Sequence, residues 1–236
     1  MARGVVSALC VVLAAAAPTA GGHATVRGCP ATLANQLADT ASATQLITVV
    51  APTRRSVVGS LRLWRKSGDC WLGVDGPWSA WLGSRGVSEN RREGDRTTPG
   101  GAYGIQRTMY GVGPNPGVRY AYRRIRCGDW WVEDPRSPYY NRFHHVRCGS
   151  KPPFRVTSED MSRSPTAYRH LAVIDFNAHP IVRGRGSGIF LHRSTGRPTL
   201  GCVSLPLPQL VTTLRWLDPA AQPLIVIGTA ARIRAY

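Results

Sequence analysis

The amino-acid sequence predicts a mainly β domain, either a sandwich or a partly closed barrel, with a few short helices. Three observations lead to this prediction. Short apolar runs of strand length recur between residues 45 and 228, glycine and proline interrupt them, and one strongly periodic helical segment comes late in the chain. Many short strands with few helices are typical of sandwiches and barrels.

The chain opens with a pattern typical of a secretory signal peptide. A basic residue at Arg3 precedes an apolar stretch over residues 5–17, and the small residues Gly22 and Ala24 suit cleavage. The apolar stretch is shorter than the roughly 20 residues that a permanent transmembrane helix needs, and no later stretch approaches that length. We therefore predict a signal peptide over residues 1–24 and no stable membrane span.

The remainder of the chain shows no linker that forces a division into two domains. We predict a short N-terminal segment over residues 25–45 and one domain over residues 46–236. With the signal peptide removed, the protein is expected to be secreted or to lie in the cell envelope, in a periplasm or a cell wall.

Six apolar runs are predicted strands. They cover residues 45–50, 60–64, 101–106, 170–176, 188–192 and 223–228. Residues 32–39 form a short helical candidate before the first strand. The main helix is predicted over 207–217, where leucine and valine recur at three- and four-residue spacing and Pro219 follows the end.

Cysteine usage predicts two disulfides and one free thiol. Removal of the signal peptide leaves an odd number of cysteines in an oxidising compartment, so at least one thiol has no intramolecular partner. Cys29 and Cys70 both lie in the N-terminal third, and Cys127 and Cys148 bracket one aromatic, proline-bearing segment, so we expect these two pairs. Spacing does not prove connectivity, but only Cys202 has surroundings that explain a reduced thiol.

The charge indicates polyanionic partners. Thirty basic and 13 acidic residues give a formal net charge of +17. Because the chain carries an export signal and no recognition motif for DNA or RNA, we expect anionic cell-wall polymers, and no nucleic acid, as partners. An arginine-rich surface that serves solubility alone is the alternative.

A histidine and a cysteine form the candidate catalytic pair. The string IFLH ends in His192, and the string PTLGCVSLP places Cys202 directly after Gly201. We expect the loop over residues 193–201 to bring the imidazole beside the sulfur. An adjacent histidine can supply the thiolate that a nucleophilic cysteine needs, and a glycine lets the backbone approach a bound carbonyl. A buried, inert Cys202 is the alternative.

Three strings together resemble the L,D-transpeptidase catalytic domain (YkuD-like) family. They are IFLH, PTLGCVSLP and EGDRTTPGGAYGI, and the resemblance extends from about residue 46 to residue 227. The branch that is most similar has a short loop and a cysteine element reading Pro-Thr-x-Gly-Cys-Val. The resemblance implies a mixed β-sandwich with a few short helices. By motif position it implies Cys202 as nucleophile, His192 as general base, and Gly201 with the Cys202 amide as oxyanion site.

The activity that this resemblance implies is the 3→3 cross-linking of peptidoglycan stem peptides through a thioester acyl-enzyme. The cysteine attacks the L-centre carbonyl of the third residue of a donor tetrapeptide, D-alanine leaves, and an amine of an acceptor stem attacks the thioester. If water replaces the amine, the activity is that of an L,D-carboxypeptidase. No metal, nucleotide or organic cofactor is expected, because the acyl group is held covalently.

Several residues are weaker candidates for substrate binding. Leu200 stands where many family members have a second histidine, and Arg193 stands where some have a serine. Arg193 either compensates electrostatically, as a substrate-binding residue, or faces solvent. The family contributes cleft residues from the regions of Tyr139 and Arg142, and Asn177 ends an apolar strand near the cleft, so these three residues are also predicted to bind substrate.

No metal site is predicted. The nearby His144, His145 and Cys148 have a spacing that fits no usual zinc pattern. Two other function classes stay open at this point. One is a catalytically silent basic protein that binds the envelope, and the other, ranked last, is a secreted nucleic-acid binder. The oligomeric state is not predicted.

Overall fold

The computed structural model describes Met1 and residues 28–40, 42–155 and 158–236. The predicted signal peptide over residues 1–24 therefore lies outside the described residues except for Met1. The mainly β fold is confirmed, with one α-helix and short 3-10 turns in the described ranges.

Fourteen strands and one α-helix follow one another along the described ranges. In chain order they are β1 (Gln45–Ala51), β2 (Val58–Ser67), β3 (Cys70–Trp81), β4 (Val87–Ser88), β5 (Thr98–Pro99), β6 (Gly101–Gly111), β7 (Ala121–Arg124), β8 (Asp129–Trp131), β9 (Phe143–His145), β10 (Glu159–Asp160), β11 (Leu171–Ile174), β12 (Phe190–Arg193), β13 (Val203–Leu205), α1 (Leu207–Trp216) and β14 (Leu224–Thr229).

Nine strands form one large sheet in the order β11-β12-β13-β3-β2-β1-β14-β6-β7. Strand β6 also pairs with β11, so the sheet folds back on itself and its two halves enclose the main core. A three-stranded sheet, β10-β8-β9, and the short pair β4-β5 complete the strands. Helix α1 packs the buried side chains of Leu210 and Leu214 into the main core, as its periodicity predicts.

Two local predictions differ from the structure. The helical candidate over residues 32–39 is only a 3-10 turn, Ala34–Gln36. Strand β3 was not predicted, because Gly73 and the Gly76–Pro77 pair resemble turn signals. In the structure, β3 pairs with β2 through register shifts at this point, and such irregularities tolerate glycine and proline within a strand.

Both predicted disulfides are present. Cys29 and Cys70 join the N-terminal segment to the start of β3, and Cys127 and Cys148 bracket the β8-β9 hairpin, with a Cα–Cα distance of 5.3 Å in each pair. Cys202 is the free cysteine of the described residues. The separation at residue 45 between a segment and a domain stays a prediction.

Alternation along β12 and β13 decides which side chains reach the second core. Leu191, Val203 and Leu205 point into the main core. Phe190 and Cys202 point to the other face, where they join a cluster that includes Trp131 and Tyr168. Successive residues of a strand face opposite sides, so a shift of one residue would exchange the two faces. The buried apolar side chains on the main-core face therefore hold this strand pair in register.

The helices of the described residues are short. In the ranges that the structure describes, no helix combines the length and the apolar character needed to cross a bilayer.

Asn141 fixes the aromatic segment between Cys127 and Cys148 to the chain just before β12. Sequence analysis did not single out this residue. Its side-chain oxygen accepts hydrogen bonds from Trp131 Nε1 at 3.0 Å and from the backbone N–H of Gly188 at 3.1 Å. Its amide nitrogen donates to the carbonyls of Phe176 and Asn177. Because Asn141 is 4% exposed, these four groups depend on it rather than on water.

Replacing Asn141 with alanine is expected to lower the free energy of unfolding by about 2–5 kcal/mol, because several buried polar groups lose their partners at about 1–3 kcal/mol each. Urea unfolding followed by intrinsic fluorescence measures the change. The matched control is Asn90→Ala at an exposed position, which is expected to change stability by less than about 0.5 kcal/mol. Equal effects of the two substitutions would contradict the anchoring role.

Candidate active site

The parallel pairing of β12 and β13 places the two predicted catalytic residues in the wall of one cavity. Leu191 lies beside Val203, and His192 lies beside Ser204. Cys202 immediately precedes β13. The cavity has a volume of about 510 Å³, and both Cys202 and His192 line it.

The thiol of Cys202 is buried and un-ionised. Its side chain donates a hydrogen bond to the carbonyl of Gly188 and accepts one from the N–H of Phe190, each at 3.3 Å. Burial raises the pKa of this thiol to about 12, and the Phe190 N–H opposes that rise only in part. Near neutral pH the free protein therefore holds this group almost entirely as the thiol.

The imidazole of His192 is also buried and uncharged. Its Nδ1 donates to the carbonyl of Arg193 at 2.8 Å, and the ring of Tyr168 packs edge-on against it, with the ring centroids 5.7 Å apart. Burial lowers the pKa of His192 to about 4, although the backbone of Arg193 and Ala167 favours the protonated form.

No hydrogen bond joins the His192 ring to the Cys202 sulfur among the contacts of the described residues. The free protein therefore holds a neutral thiol and a neutral imidazole in one cavity wall. Catalytic hydrogen bonds are often long in free enzymes and shorten when substrate binds. Transfer of a proton from the Cys202 sulfur to the His192 ring accordingly requires the two groups to form a hydrogen bond that is absent from the free protein.

The side chain of Thr199 holds the turn that presents Cys202. The Thr199 hydroxyl donates to the Cys202 carbonyl at 2.7 Å and accepts from the Gly201 N–H at 3.1 Å. Gly201 has a φ of +141°, which favours glycine. A side chain there would also overlap Nη1 of Arg91 and lie 2.9 Å from the Thr97 carbonyl oxygen.

Arg91 is the buried cation beneath this turn, and the sequence did not single it out. It is 6% exposed, its Nη1 donates to the carbonyls of Thr97 and Leu200, and it pairs with Asp95 at 3.3 Å. Its Nε has no partner among the described residues. The charge of Arg91 favours a thiolate at Cys202, so it opposes part of the effect of burial on the pKa of the thiol. Arg91 directly precedes the segment REGDRTTPGGAYGI, whose pattern alone indicates only a turn that leads into a strand.

Three carboxyl groups line the same cavity, and sequence analysis did not identify them. Glu93 accepts from the Ser187 hydroxyl at 2.7 Å, and Glu159 accepts from the Tyr168 hydroxyl at 2.6 Å. Burial, and then the charges of Glu159 and Glu93, raise the pKa of Glu133 to about 8. Burial likewise raises the pKa of Glu159. Near neutral pH the carboxyl group of Glu133 is therefore mostly protonated.

The four predicted substrate-binding residues are not among those that line this cavity. Tyr139 is 39% exposed and stacks on His144 at a centroid distance of 3.9 Å. Arg142 is exposed, and its backbone pairs with that of Val132. Asn177 is buried, with a φ of +53°, and its side chain holds the loop that follows it.

Arg193, the fourth of these residues, contributes a backbone carbonyl that holds His192. A substrate role for Arg193, Tyr139, Arg142 and Asn177 stays a prediction. Leu200, at the position of the missing second histidine, is 71% exposed and lies at the cavity.

The histidines near Cys148 have other partners. His144 stacks on Tyr139, His145 pairs with Asp129 at 2.7 Å, and Cys148 is in a disulfide. Among the described residues, no cluster of three or more His, Cys, Asp or Glu side chains could hold a metal ion.

Gly201→Ala is expected to lower the rate of acylation of Cys202 by at least about tenfold, because the new methyl group displaces Arg91 or the turn, and small displacements of a nucleophile are costly. The control is Gly196→Ala in the same loop, which has a positive φ of +79° but no atom within 4 Å of the added carbon. Single-turnover acylation by a carbapenem, followed by intact-mass measurement, compares the rates of the two variants. Equal losses would attribute the effect to backbone strain rather than to the contact with Arg91.

The alkylation of Cys202 by iodoacetamide is expected to accelerate by about tenfold per pH unit between pH 6 and 9, because only a trace of thiolate is present in the free protein. Peptide mapping confirms the modified residue, and Cys202→Ser serves as the blank. A rate that levels off within this range would instead indicate a preformed thiolate–imidazolium pair.

Comparison with known proteins gives one family match. A model of the L,D-transpeptidase catalytic domain (YkuD) matches residues 45–227. A search of curated proteins finds no match.

A solved structure that resembles this chain is the crystal structure of the helical cell shape determining protein Pgp2 from Campylobacter jejuni. The identity is 14% and the TM-score is 0.42. The similarity covers 86% of this chain and 56% of that chain, so this chain spans little more than half of its length.

The family match covers the sheet, the cavity, and both His192 and Cys202. The chain therefore belongs to the L,D-transpeptidase catalytic domain (YkuD) family.

Proposed function

We propose that this chain is an exported peptidoglycan L,D-transpeptidase that forms 3→3 cross-links. Membership of the YkuD family supports a cysteine enzyme of the L,D-transpeptidase type, and this family acts on peptidoglycan stem peptides. The observation that carries the proposal for this chain is the single unbridged cysteine of the described residues, Cys202, in the wall of a cavity that also contains His192.

The proposed first half-reaction is acylation. The Cys202 thiol transfers its proton to His192 and attacks the L-centre carbonyl of the third residue of a donor tetrapeptide. The carbon–sulfur bond forms, and the bond to the terminal D-alanine breaks. His192 returns the proton to the departing amine. The N–H of Cys202 at the Gly201 turn stabilises the negative charge on the carbonyl oxygen in this proposal.

Substrate binding is also proposed to activate the pair. A bound peptide displaces water and brings a polarised carbonyl next to the sulfur. The thiolate can then attack this carbonyl as soon as it forms, which is not possible in the free site. The partially positive N–H groups around the turn stabilise the negative charge that passes from the sulfur to the carbonyl oxygen. The resting contacts of Cys202 with Gly188 and Phe190 support this order of events, because they keep the thiol inert until substrate arrives.

The second half-reaction decides between two products. An amine of an acceptor stem gives the cross-link, whereas water gives L,D-carboxypeptidase activity through the same thioester. The cavity wall contains the carboxyl groups of Glu93, Glu133 and Glu159 and the guanidinium groups of Arg91, Arg96 and Arg197, so selection of a cationic acceptor over water requires a specific carboxylate partner there.

An extracytoplasmic location is consistent with two disulfides and with the family. Export through the signal peptide over residues 1–24, and contacts between the surface of charge +17 and anionic wall polymers, are parts of the proposal.

Cys202→Ala is expected to abolish the release of D-alanine from a disaccharide-tetrapeptide, because no thioester can form without the sulfur. Coupled detection of free D-alanine and chromatography of the muropeptide products measure both half-reactions. The control is Cys202→Ser, which keeps the shape of the turn and is expected to be at least about 100-fold slower than the wild type. If the alanine variant releases D-alanine as fast as the wild type, the assigned site is wrong.

A further inference from the structure

Glu133 reaches the nucleophile's immediate surroundings from a separate segment of the chain. It follows β8, where its backbone N–H donates to the Ser158 hydroxyl at 3.1 Å. Its carboxyl oxygen Oε1 lies so close to Gly188 that a Cβ added there would be 2.5 Å away. Gly188 is the residue whose carbonyl accepts the hydrogen bond from the Cys202 thiol. One glycine therefore separates this carboxyl group from the sulfur.

Glu133 differs from the two other carboxyl groups of the cavity. Glu93 receives hydrogen bonds from the hydroxyls of Tyr140 and Ser187, and Glu159 receives them from Tyr168 and Ser164. Among the hydrogen bonds of the described residues, none reaches the carboxyl oxygens of Glu133. Its carboxyl group therefore faces the cavity without a protein hydrogen-bond partner among the described residues, and the residue is half-buried.

The groups around Glu133 place it close to a balance between its two protonation states. Burial first, then Glu159 from β10 and Glu93 from the loop before β5, raise its pKa to about 8, and Arg91 opposes them. Cys202 and Tyr168 on the neighbouring elements are neutral near pH 7, since burial raises the pKa of each. A general base works best when its pKa lies near the operating pH, and the pKa of Glu133 lies closer to that range than the pKa of His192, about 4.

We propose that Glu133 is a further catalytic residue, which binds the ammonium group of the acceptor and takes a proton from it before the amine attacks the thioester. This inference rests on the proposed function, because it assigns a role in the second half-reaction of that cycle. The ammonium group supplies the hydrogen-bond donors that the carboxyl lacks, and its positive charge favours the carboxylate form.

The proton balance of this step is complete. The ammonium group gives one proton to the Glu133 carboxylate, and the resulting amine attacks the thioester carbon. The carbon–nitrogen bond forms and the carbon–sulfur bond breaks. His192 takes the second proton from nitrogen and delivers it to the departing sulfur, which restores the thiol. Glu133 then releases its proton to solvent, so no oxidant, metal or further reactant is required.

The inference predicts a selective effect of Glu133→Gln. This variant keeps the shape of the side chain but cannot accept the proton. The ratio of cross-linked to hydrolysed product, with a tetrapeptide donor and an amine-bearing acceptor stem, is expected to fall by at least about tenfold. The rate of D-alanine release by acylation alone, measured in a single turnover, is expected not to fall, because Glu133 transfers no proton in that step and the loss of its charge near Cys202 favours the thiolate.

A matched control and a pH profile separate catalysis from structure. Glu89→Gln changes a carboxylate that pairs with Arg232 and Tyr236 outside the cavity, and it is expected to leave both half-reactions unchanged. In the wild type the product ratio should show a step through about pH 8, as Glu133 ionises, on top of the steady rise that comes from deprotonation of the acceptor amine, and Glu133→Gln should keep only the steady rise. Glu133→Asp, with a carboxylate that is one methylene shorter, should restore part of the ratio. If the glutamine variant does not fold, the aspartate variant and the wild-type pH profile carry the test.

The results distinguish the two levels of the proposal. If the wild type forms the acyl-enzyme and Glu133→Gln gives the same product ratio and pH profile, the role of Glu133 is wrong while the proposed function stands. If the wild type itself forms no acyl-enzyme at Cys202, the proposed function is wrong.

Discussion

The parallel pairing of β12 with β13 is the constraint on which the site depends. It fixes His192 beside Ser204 and directs Phe190 and Cys202 to the face opposite the main core. Because Leu191 and Val203 are fully buried on the other face, a shift of one residue would turn apolar side chains into the cavity and the sulfur into the core. The core therefore sets the position of Cys202, the proposed nucleophile.

In the free site both the Cys202 thiol and the His192 imidazole are uncharged. The thiol is satisfied by backbone groups of Gly188 and Phe190, and the imidazole by the carbonyl of Arg193. Burial disfavours both the thiolate and the imidazolium, and only Arg91 among the nearby charges favours the thiolate. Such a resting state protects a free cysteine from oxidation in an oxidising compartment, since thiolate character determines its reactivity.

Much of the fold could be predicted from the sequence, because its strands are apolar runs and α1 carries a clear period. Both disulfides could be predicted from the segments they join. Strand β3 could not be predicted, because its glycines and proline are typical of turns. It forms a strand only because it pairs with β2. The pair His192 and Cys202 was found from local strings, whereas Arg91 and Glu133 reach the cavity through contacts between distant segments, which no local pattern encodes.

The central claim is that Cys202 is an acyl-accepting nucleophile. Intact-mass measurement of the protein after incubation with a carbapenem, whose strained ring carbonyl is an acyl donor, tests it most directly. We expect the mass to increase by that of one antibiotic molecule, and we expect the adduct to map to the peptide that contains Cys202. An unchanged mass, or an adduct on any other residue, would contradict the account and favour a catalytically silent member of the family.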